Sequence, residues 1–378
     1  LYNFAFGNQS DCCSQFFVLY HYKDTANFRQ SSKLQAFTIN QHHFKTSIYM
    51  EQIFRVGIIG AGSIAASMAE TVGRMPEAHL YAIASRSIEK AREFQDKWGA
   101  EKAYGSYDEL IQDEKVDLIY IATPHSHHYE QARQCLLNGK AVLCEKTFTA
   151  NKAQAEELVA LARERKVFLA EAIWTRYMPF SKEIVKMAPS GELIGRPYML
   201  TANLGYPIEH KERIKKPELC GGALLDLGVY PINLAFMLFG NSPERIMSCC
   251  SKNELGVDLQ NSMTFIYPEG EMAVMQTTAR CANDRMGVVS GDKGYMVIDN
   301  INNPHTVTVY DTNHKQTGIY TCPPQITGYE YEVHAAMEAI RKGVIEPEDM
   351  PHAETLRIME LLDSLRKEWG VAYPSDKL

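Results

Sequence analysis

From about residue 50 onward, the pattern of apolar and polar residues changes once, close to residue 173. Before that point, short apolar runs alternate with segments whose apolar positions recur with the period of a helix. The apolar runs predict strands at 53–59, 79–84, 116–122, 141–144 and 167–170. Strands that alternate with helices in this way favour an α/β Rossmann domain, a doubly wound parallel sheet with helices on both faces.

Beyond residue 173 the predicted strands are short, follow one another closely and are separated by glycines. They lie at 199–204, 245–251, 262–267, 272–278, 287–290 and 295–298. One long helix is predicted at 222–239, and two more, at 328–341 and 353–369, close the chain. This pattern favours an α+β domain built on a large open, mostly antiparallel sheet.

These patterns divide the chain into three parts. We expect a dinucleotide-binding Rossmann domain at 50–172 and a domain for substrate binding and oligomerisation at 173–378. Residues 1–49 have no persistent period, contain none of the 16 methionines and hold only two acidic residues, Asp11 and Asp24. They also lack the basic start and long apolar centre of a signal peptide. We interpret them as a non-native or disordered extension, with a genuine N-terminal module as the alternative.

Composition and charge exclude several classes of protein. Of the 378 residues, 45% are hydrophobic and 22% are charged, which is typical of soluble globular proteins. The formal net charge of −7 argues against nucleic acid or an anionic membrane as a partner. No apolar run approaches the ~20 residues that span a bilayer. The nine cysteines include no C-x-x-C pair, so we expect no zinc site and no disulfide framework, but a reducing, cytoplasmic setting.

The first predicted strand runs into a glycine-rich turn, and residues 54–65 read FRVGIIGAGSIA. Gly60 allows a tight turn, and Gly62 lets the backbone approach a pyrophosphate. Ser63 and Ile64 open the following helix, whose unpaired N–H groups and dipole favour negative charge. We expect this segment to bind the pyrophosphate of a dinucleotide.

The end of the second predicted strand bears on the choice between NAD and NADP. Sheets that bind NAD commonly carry Asp or Glu there, which binds the 2′-hydroxyl of the ribose. This chain has no carboxylate at that point but has Ser85 and Arg86, which can hold a 2′-phosphate. A solvated loop arginine is the alternative interpretation. We expect NADP as the cofactor, with NAD as the alternative.

The next predicted strand ends in Thr123, Pro124, His125 and His128. Ligands bind beyond the carboxyl ends of strands in such sheets, so these residues should border the cofactor. Neighbouring loop histidines rarely point at one ion, and no matching set of Asp, Glu or Cys accompanies them. We therefore expect no metal site. The plainer alternative is that the histidines cap the next helix and line a polar cleft.

Glu145 and Lys146 end the strand after that. A buried charge costs several kcal/mol unless it is paired, so this pair is poor core material. Elsewhere in a protein it would be interpreted as a surface ion pair. At this end of a buried strand we expect Glu145 to border the cofactor and Lys146 to be a site lysine.

With these residues the chain resembles the Gfo/Idh/MocA family of oxidoreductases, the glucose–fructose oxidoreductase and inositol dehydrogenase type, from about residue 55 to residue 373. A hallmark of that family is Glu-Lys-Pro, which stands here as Glu145-Lys146-Thr147. The likeness is strongest to the dimeric dihydrodiol dehydrogenase branch. It is carried by AYGSY at 103–107, AVLCEK at 141–146, EAIWTR at 171–176 and GGALLDLGVY at 221–230.

The resemblance implies three catalytic residues, Lys146, Asp226 and Tyr230, and hydride transfer coupled to proton transfer. Tyr230 would exchange the proton of the substrate hydroxyl, and the Lys146 ammonium would lower its pKa from the ordinary ~10. Asp226 would orient Lys146 or a substrate hydroxyl. It lies four residues from Tyr230, on the same face of a helix. A helix that only buries leucines explains the leucines of this segment but not Asp226.

The same resemblance implies that Trp174 and Arg176 contact the cofactor near its nicotinamide. A core position is the alternative for Trp174. The loop at 206–220, which carries His210 and Arg213, is expected to shape the substrate pocket.

The function implied is an NADP-dependent oxidoreductase that transfers hydride between the cofactor and a hydroxyl or carbonyl of a sugar, polyol or cyclic diol. One alternative is a non-catalytic NAD(P)-binding regulator, which would need no proton relay. Another is an enzyme that retains and recycles NAD in a lyase or hydrolase reaction. The uncovered face of the second sheet and the family resemblance both imply a homodimer or a higher homo-oligomer.

Overall fold

The computed structural model describes residues 53–377, so the extension predicted at 1–49 lies outside the described residues. Residues 54–172 form six strands and five helices. The strands are β1 (Phe54–Ile59), β2 (Ala78–Ala84), β3 (Lys102–Tyr104), β4 (Leu118–Ile121), β5 (Val142–Glu145) and β6 (Leu169–Ala172). The helices are α1 (Ser63–Arg74), α2 (Ile88–Trp98), α3 (Tyr107–Gln112), α4 (His125–Leu137) and α5 (Lys152–Arg165).

These six strands pair in parallel, in the order β3-β2-β1-β4-β5-β6. That is the strand order of the dinucleotide-binding Rossmann fold, and the predicted doubly wound sheet is confirmed. The sequence pattern missed β3, because three residues are too few to show a strand period.

Local sequence signals set where the helices begin and end. Ser106 and Glu109 form a capping box at α3, and the side chain of Asn151 caps α5. Gly99 ends α2 in the left-handed conformation, with φ of 76°. At α1 the N-cap is Gly62, which has no side chain to satisfy the first N–H groups of the helix. These groups are therefore available to a ligand.

Residues 179–369 contain eight further strands and five further helices. The strands are β7 (Pro197–Gly205), β8 (Arg245–Lys252), β9 (Asp258–Ile266), β10 (Met272–Thr278), β11 (Gly287–Gly291), β12 (Gly294–Ile298), β13 (Thr306–Asp311) and β14 (Gln316–Thr321). The helices are α6 (Pro179–Met187), α7 (Glu212–Lys215), α8 (Val229–Phe239), α9 (Glu330–Arg341) and α10 (His352–Trp369).

The eight strands form one sheet in the order β14-β13-β12-β11-β7-β10-β9-β8. Every pair is antiparallel except β7 beside β10, so the predicted open, mostly antiparallel sheet is confirmed. Strands β13 and β14, which lengthen one end of the sheet, were not predicted, and neither were helices α6 and α7.

Helices cover one face of this sheet, and no element of the described residues covers the other. Helix α8 packs on β7 and β10, and α10 packs on β8. Met263, Phe265 and Met275 point to these helices and are fully buried. On the opposite face Met199 is 38% exposed and Met247 is 42% exposed, with no described element covering them.

Two helical segments lie where their composition or their place in the sequence would not suggest. Residues Pro217–Phe239 are long and apolar enough to cross a membrane by composition, yet 83% of their most apolar window is buried inside the protein. Helix α9 belongs by sequence to the second part but packs Val333, Ala336 and Met337 into the core of the first sheet. The boundary at residue 172 itself stays a prediction.

Candidate active site

A cleft of about 440 Å³ lies at the carboxyl edge of the parallel sheet, where β1, β4 and β5 end. Loops and helices that follow the first sheet form its other wall. Ten of the residues predicted from the sequence line this cleft: Gly62, Ser63, Ile64, Thr123, Pro124, His125, Glu145, Lys146, Asp226 and Tyr230.

The glycine turn lies at one end of the cleft. Gly60 has φ of 99°, and a Cβ atom there would lie 2.8 Å from the carbonyl oxygen of Ala122. Only glycine fits this crossing of β1 over the end of β4. A Cβ atom on Gly62 would meet no described atom within 4 Å, so open space lies in front of it. The turn thus combines a close backbone approach with free N–H groups, the arrangement that a pyrophosphate requires.

Ser85 and Arg86 follow β2 at the same edge of the sheet, but neither lines the cleft. Ser85 is buried, and its Oγ accepts a hydrogen bond from the Ser87 N–H at 3.5 Å. Arg86 is exposed, and its charge acts on the Tyr107 hydroxyl and on His127. An exposed guanidinium beside the glycine turn suits a 2′-phosphate that lies outside the cleft.

Replacing Arg86 with alanine is therefore expected to weaken NADP binding about tenfold or more and to leave NAD binding nearly unchanged, because only NADP carries the 2′-phosphate. Fluorescence titration of both cofactors measures the effect. Arg92→Ala, on the exposed surface of α2, is the control. An equal loss for both cofactors would show that Arg86 does not distinguish them.

His128 is fully buried behind the cleft wall. Its Nδ1 lies 2.9 Å from the Thr147 carbonyl oxygen, and its Nε2 lies 2.8 Å from that of Thr123. It thus links the loops after β4 and β5 to each other. The predicted contact between His128 and the cofactor has no support in this placement, since both ring nitrogens meet backbone carbonyls. Among the described residues, no three His, Cys, Asp or Glu side chains could hold a metal ion.

His125, unlike His128, lines the cleft. Its Nδ1 lies 3.1 Å from the Cys220 carbonyl oxygen, and its Nε2 lies 3.9 Å from Asp226 Oδ1. Burial lowers the pKa of His125 to about 3, so the ring is neutral at physiological pH. It supplies a polar wall without a charge.

Asp226 contacts two cations of the site, Lys146 at the end of β5 and Arg213 in the loop at 206–220. Lys146 Nζ donates to the Asp226 backbone carbonyl at 2.7 Å and to Oδ1 at 3.4 Å. Arg213 Nη1 donates to the same Oδ1 at 2.5 Å. Burial would raise the pKa of Asp226, but the charges of Lys146 and Arg213 hold it well below its usual range. The carboxylate is therefore ionised, and its contact with Lys146 supports the predicted orienting role.

The backbone around Asp226 explains its position. The turn from Leu224 to Gly228 is π-helical and precedes α8, a wide turn of the kind that is often found at functional sites. The Leu224 N–H donates to Asp258 Oδ2 at 2.7 Å, and Thr147 Oγ donates to the Leu225 carbonyl at 2.6 Å. Thr147 directly follows Lys146 through a cis peptide bond. The lysine and the aspartate are thus held together by their backbones as well as their side chains.

Tyr230 lines the cleft one turn after Asp226. Lys146 Nζ lies 5.1 Å from the centroid of the tyrosine ring. Burial raises the pKa of Tyr230 well above its ordinary value, and the neighbouring Tyr329, Glu145 and Asp226 add to the shift. The prediction that this pKa lies below its ordinary value is wrong, because burial is the largest influence on it. Tyr230 is therefore a protonated phenol, able to donate its proton.

Glu145 ends β5 at the floor of the cleft. It accepts hydrogen bonds from the Tyr120 hydroxyl and, at 3.2 Å, from the Lys146 N–H. Burial raises the pKa of Glu145 to about 7, against the opposing charge of Lys146. Behind it Glu171, on β6, accepts a hydrogen bond from the Phe148 N–H at 3.2 Å and so supports the loop after Lys146.

The raised pKa of Glu171 predicts how the stability of the folded protein depends on pH. Burial raises its pKa to about 7 from an ordinary 4.5. Between these values the folded protein holds a proton that the unfolded chain has released, so the stability present at lower pH is lost as the pH rises. Glu171→Gln can still accept from Phe148. When the pH rises from about 5 to about 8, the unfolding free energy of both proteins changes. The decrease for Glu171→Gln is expected to be about 2 kcal/mol smaller than the decrease for the wild type.

Denaturant unfolding at a series of pH values measures this difference. Glu164→Gln is the control, because its side chain is 72% exposed. If the curves of Glu171→Gln and the wild type remain parallel, the carboxyl does not titrate as described.

Trp174 and Arg176 do not line the cleft. Trp174 stacks on Tyr329, a residue that does line the cleft. The ring centroids lie 4.2 Å apart, and the ring planes are 11° apart. The alternative interpretation of Trp174 as a core residue agrees with this position. Arg176 is buried, and it donates to Asn233 Oδ1 at 2.5 Å and to Glu354 Oε2 at 2.9 Å. The predicted cofactor contact of Arg176 has no support, because the guanidinium joins α8 to α10.

The sequence interpretation missed several residues of the cleft, among them Ser67, Asn302 and Tyr329. Tyr329 precedes α9, and Asn302 follows β12, where its Oδ1 accepts from the Tyr206 hydroxyl at 3.2 Å. Neither lies in a motif or at the end of a parallel strand, so no local signal marked them. Ser67 lies on α1, one turn beyond Ser63, a spacing that could have identified it.

Comparisons with known proteins match both halves of the chain. The family described as "Oxidoreductase family, NAD-binding Rossmann fold" matches residues 54–172, and "GFO/IDH/MocA C-terminal domain" matches residues 182–297. The trans-1,2-dihydrobenzene-1,2-diol dehydrogenase of Mus musculus is 35% identical in an alignment of 336 residues that covers 85% of this chain and 99% of the relative. The Homo sapiens enzyme of that name is 34% identical over 331 residues, with the same coverage.

Solved structures agree in fold. A 3-ketoreductase from Actinomadura kijaniata, in complex with NADP and TDP-benzene, has a TM-score of 0.75 and 26% identity, over 83% of this chain and 97% of its own. An aldose-aldose oxidoreductase from Caulobacter crescentus has a TM-score of 0.75 over 84% of this chain and 98% of its own. At 22% identity, that second likeness shows the fold alone.

Proposed function

This chain belongs to the GFO/IDH/MocA family of oxidoreductases, and on that basis we propose that it is an NADP-dependent dehydrogenase. It transfers hydride between the cofactor and a hydroxyl or carbonyl group of a sugar, polyol or cyclic diol. The observation that carries this proposal is one cleft that contains both the unpaired start of α1 and the group Lys146, Asp226 and Tyr230. A site for binding alone would need the first feature but not the second.

The residues present fit NADP. The free N–H groups at Gly62 and Ser63 suit the pyrophosphate, and Arg86 suits the 2′-phosphate. Thr123, Pro124 and His125 line the cleft beyond the glycine turn, where the nicotinamide half would lie. Bound there, the cofactor supplies or accepts the hydride.

The protein contributes the proton and the charge. Tyr230, held as a phenol, donates its proton to the substrate oxygen when a carbonyl is reduced. Lys146 stabilises the negative charge that develops on that oxygen. Asp226 positions Lys146 and remains ionised throughout. Oxidation of a hydroxyl uses the same groups in reverse, which requires Tyr230 to lose its proton first.

A steady-state assay of NADP reduction and NADPH oxidation, across a panel of sugars, polyols and cyclic diols, tests this proposal. We expect turnover of at least one member, with NADP preferred over NAD. Tight NADP binding without turnover of any member would instead support a regulator, and product formation without net NADP reduction would support a recycling reaction.

We also propose a homodimer or higher homo-oligomer through the uncovered face of the second sheet, because exposed methionines on a large sheet face are typical of interfaces. Sedimentation of the wild type and of Met199→Asp tests this. The variant is expected to dissociate, and a monomeric wild type would contradict the proposal.

A cytoplasmic location is part of the same proposal. The seven cysteines of the described residues are all free thiols, which agrees with a reducing compartment. Subcellular fractionation with compartment markers tests this, and recovery from an oxidising compartment would contradict it.

A further inference from the structure

The charges that line the cleft do not balance. Among the described residues, Lys146, Lys211 and Arg213 line it with positive charge, against the carboxyl groups of Asp226 and Glu145. Burial raises the pKa of Glu145, so this carboxyl adds at most one negative charge to that of Asp226. The cleft therefore has surplus positive charge, although the chain as a whole has a formal net charge of −7.

The surplus comes from one loop. Lys146 is held by Asp226, but the Lys211 ammonium makes no ion pair or hydrogen bond with a described residue. Arg213 has five N–H donors, and within the described residues only Nη1 is bonded, to Asp226. The Arg213 side chain is also 39% exposed. An ammonium and most of a guanidinium are therefore available at the wall of the site.

The backbone beneath these donors is anchored. The N–H groups of Ile208 and Glu209 both donate to the Ala279 carbonyl oxygen at 2.9 Å, and the Lys211 N–H donates to the Ile208 carbonyl at 2.9 Å. Ile214, on α7, is fully buried. The two cationic side chains thus project from a fixed segment, which lowers the entropy cost of binding a ligand.

The hydrogen-bond donors of Lys211 and Arg213 indicate which chemical group of a ligand would bind them. A sugar or diol hydroxyl both donates and accepts, whereas ammonium and guanidinium groups only donate. Their best partner is a group that only accepts and carries negative charge, a carboxylate or a phosphate. A neutral sugar or diol can accept hydrogen bonds from these donors but leaves their positive charge uncompensated.

We propose that the substrate carries an anionic group, a carboxylate or a phosphate, and that Lys211 and Arg213 bind it. The inference rests on the proposed function, and it narrows the substrate to an acidic sugar, polyol or cyclic diol. Lys211 acts as a specificity residue that contacts the substrate away from the reacting carbon.

Matched ligands test the proposal by isothermal titration calorimetry on the NADP-loaded enzyme. The neutral members are glucose and galactose. The anionic members are glucuronate and galacturonate for the carboxylate, and glucose 6-phosphate and galactose 6-phosphate for the phosphate. We expect at least one anionic member to bind about tenfold or more tightly than its neutral counterpart. The preference should fall as salt is raised, since screening weakens exposed charges.

Two variants test whether the preference for anionic ligands depends on Lys211, in the loop at 206–220. Lys211→Gln is expected to remove most of the preference while NADP affinity stays unchanged. Lys215→Gln is the matched control, because it lies on the same loop but does not line the cleft. The proposal is overturned if no anionic member binds better than its neutral counterpart. It is also overturned if Lys211→Gln weakens NADP and leaves the preference intact, since Lys211 would then serve the cofactor.

These outcomes are separate from a failure of the proposed function. Turnover restricted to neutral sugars or diols would retain the dehydrogenase and remove this inference. Preferential binding of an anion, without turnover of any member of the wider panel, would retain the anion site and remove the dehydrogenase.

Discussion

Lys146→Met is expected to reduce turnover about a hundredfold or more and to change NADP affinity by no more than a few-fold. The substitution keeps an unbranched side chain one atom shorter and removes the charge that stabilises the developing negative charge on the substrate oxygen. Positioned groups of this kind contribute about 10²–10⁴-fold in rate. Stopped-flow and steady-state assays give turnover, and titration gives NADP affinity.

The structure makes this test specific, because the fold should survive it. Asp226 keeps its 2.5 Å bond to Arg213, so the buried carboxylate does not lose every positive partner. Lys367→Met, at an exposed position on α10, is the control for loss of one charge elsewhere. Turnover near the wild-type level in Lys146→Met would remove the lysine from the mechanism.

Alanine substitutions at the two glycines of the β1–α1 turn are expected to affect different properties, stability for Gly60 and cofactor affinity for Gly62. Gly60→Ala should lower the free energy of unfolding by about 2 kcal/mol, because φ of 99° is strained for alanine and the new Cβ would lie 2.8 Å from the Ala122 carbonyl. Gly62→Ala should cost less stability than Gly60→Ala, because nothing lies within 4 Å of its Cβ and only the weaker N-cap preference of alanine opposes it. It should instead weaken NADP about tenfold or more, since the methyl would occupy the space proposed for the pyrophosphate.

Each glycine serves as the control for the other. Denaturant unfolding measures stability, and cofactor titration measures affinity, on both variants. Normal NADP affinity in Gly62→Ala would show that the pyrophosphate does not lie at this turn. Unchanged stability in Gly60→Ala would show that the Ala122 loop moves aside at little cost.

The fold was predictable where its signals are local or periodic. Buried parallel strands appear as apolar runs, and the order of strands and helices favoured the Rossmann sheet before the structure showed it. Short or weakly marked elements were missed, such as β3 and the pair β13 and β14. The long helix predicted at 222–239 is divided by a π-helical turn at Leu224–Gly228, because tertiary hydrogen bonds from Thr147 and to Asp258 hold that turn.

The candidate site was predictable at the strand ends and less so elsewhere. The topology of a parallel sheet brings the ends of β1, β4 and β5 to one edge, so Gly62, Thr123 and Lys146 could be grouped without coordinates. Arg176 was assigned to the cleft from its neighbourhood in the sequence, yet it bonds residues of α8 and α10. Sequence proximity does not say on which side of a loop a side chain lies.

The sequence by itself determined the class of fold, the glycine turn and the residue types available for chemistry. These depend on hydrophobic period, on backbone conformation and on side-chain identity, all of which are local. Only the tertiary structure decided that Lys146 meets Asp226 across 80 positions of the chain and that Arg213 shares this carboxylate. It also decided that Lys211 has no such partner among residues 53–377. It also decided that Tyr230 is held as a phenol. Distances between remote residues, and the burial that sets a pKa, exist only once the chain has packed.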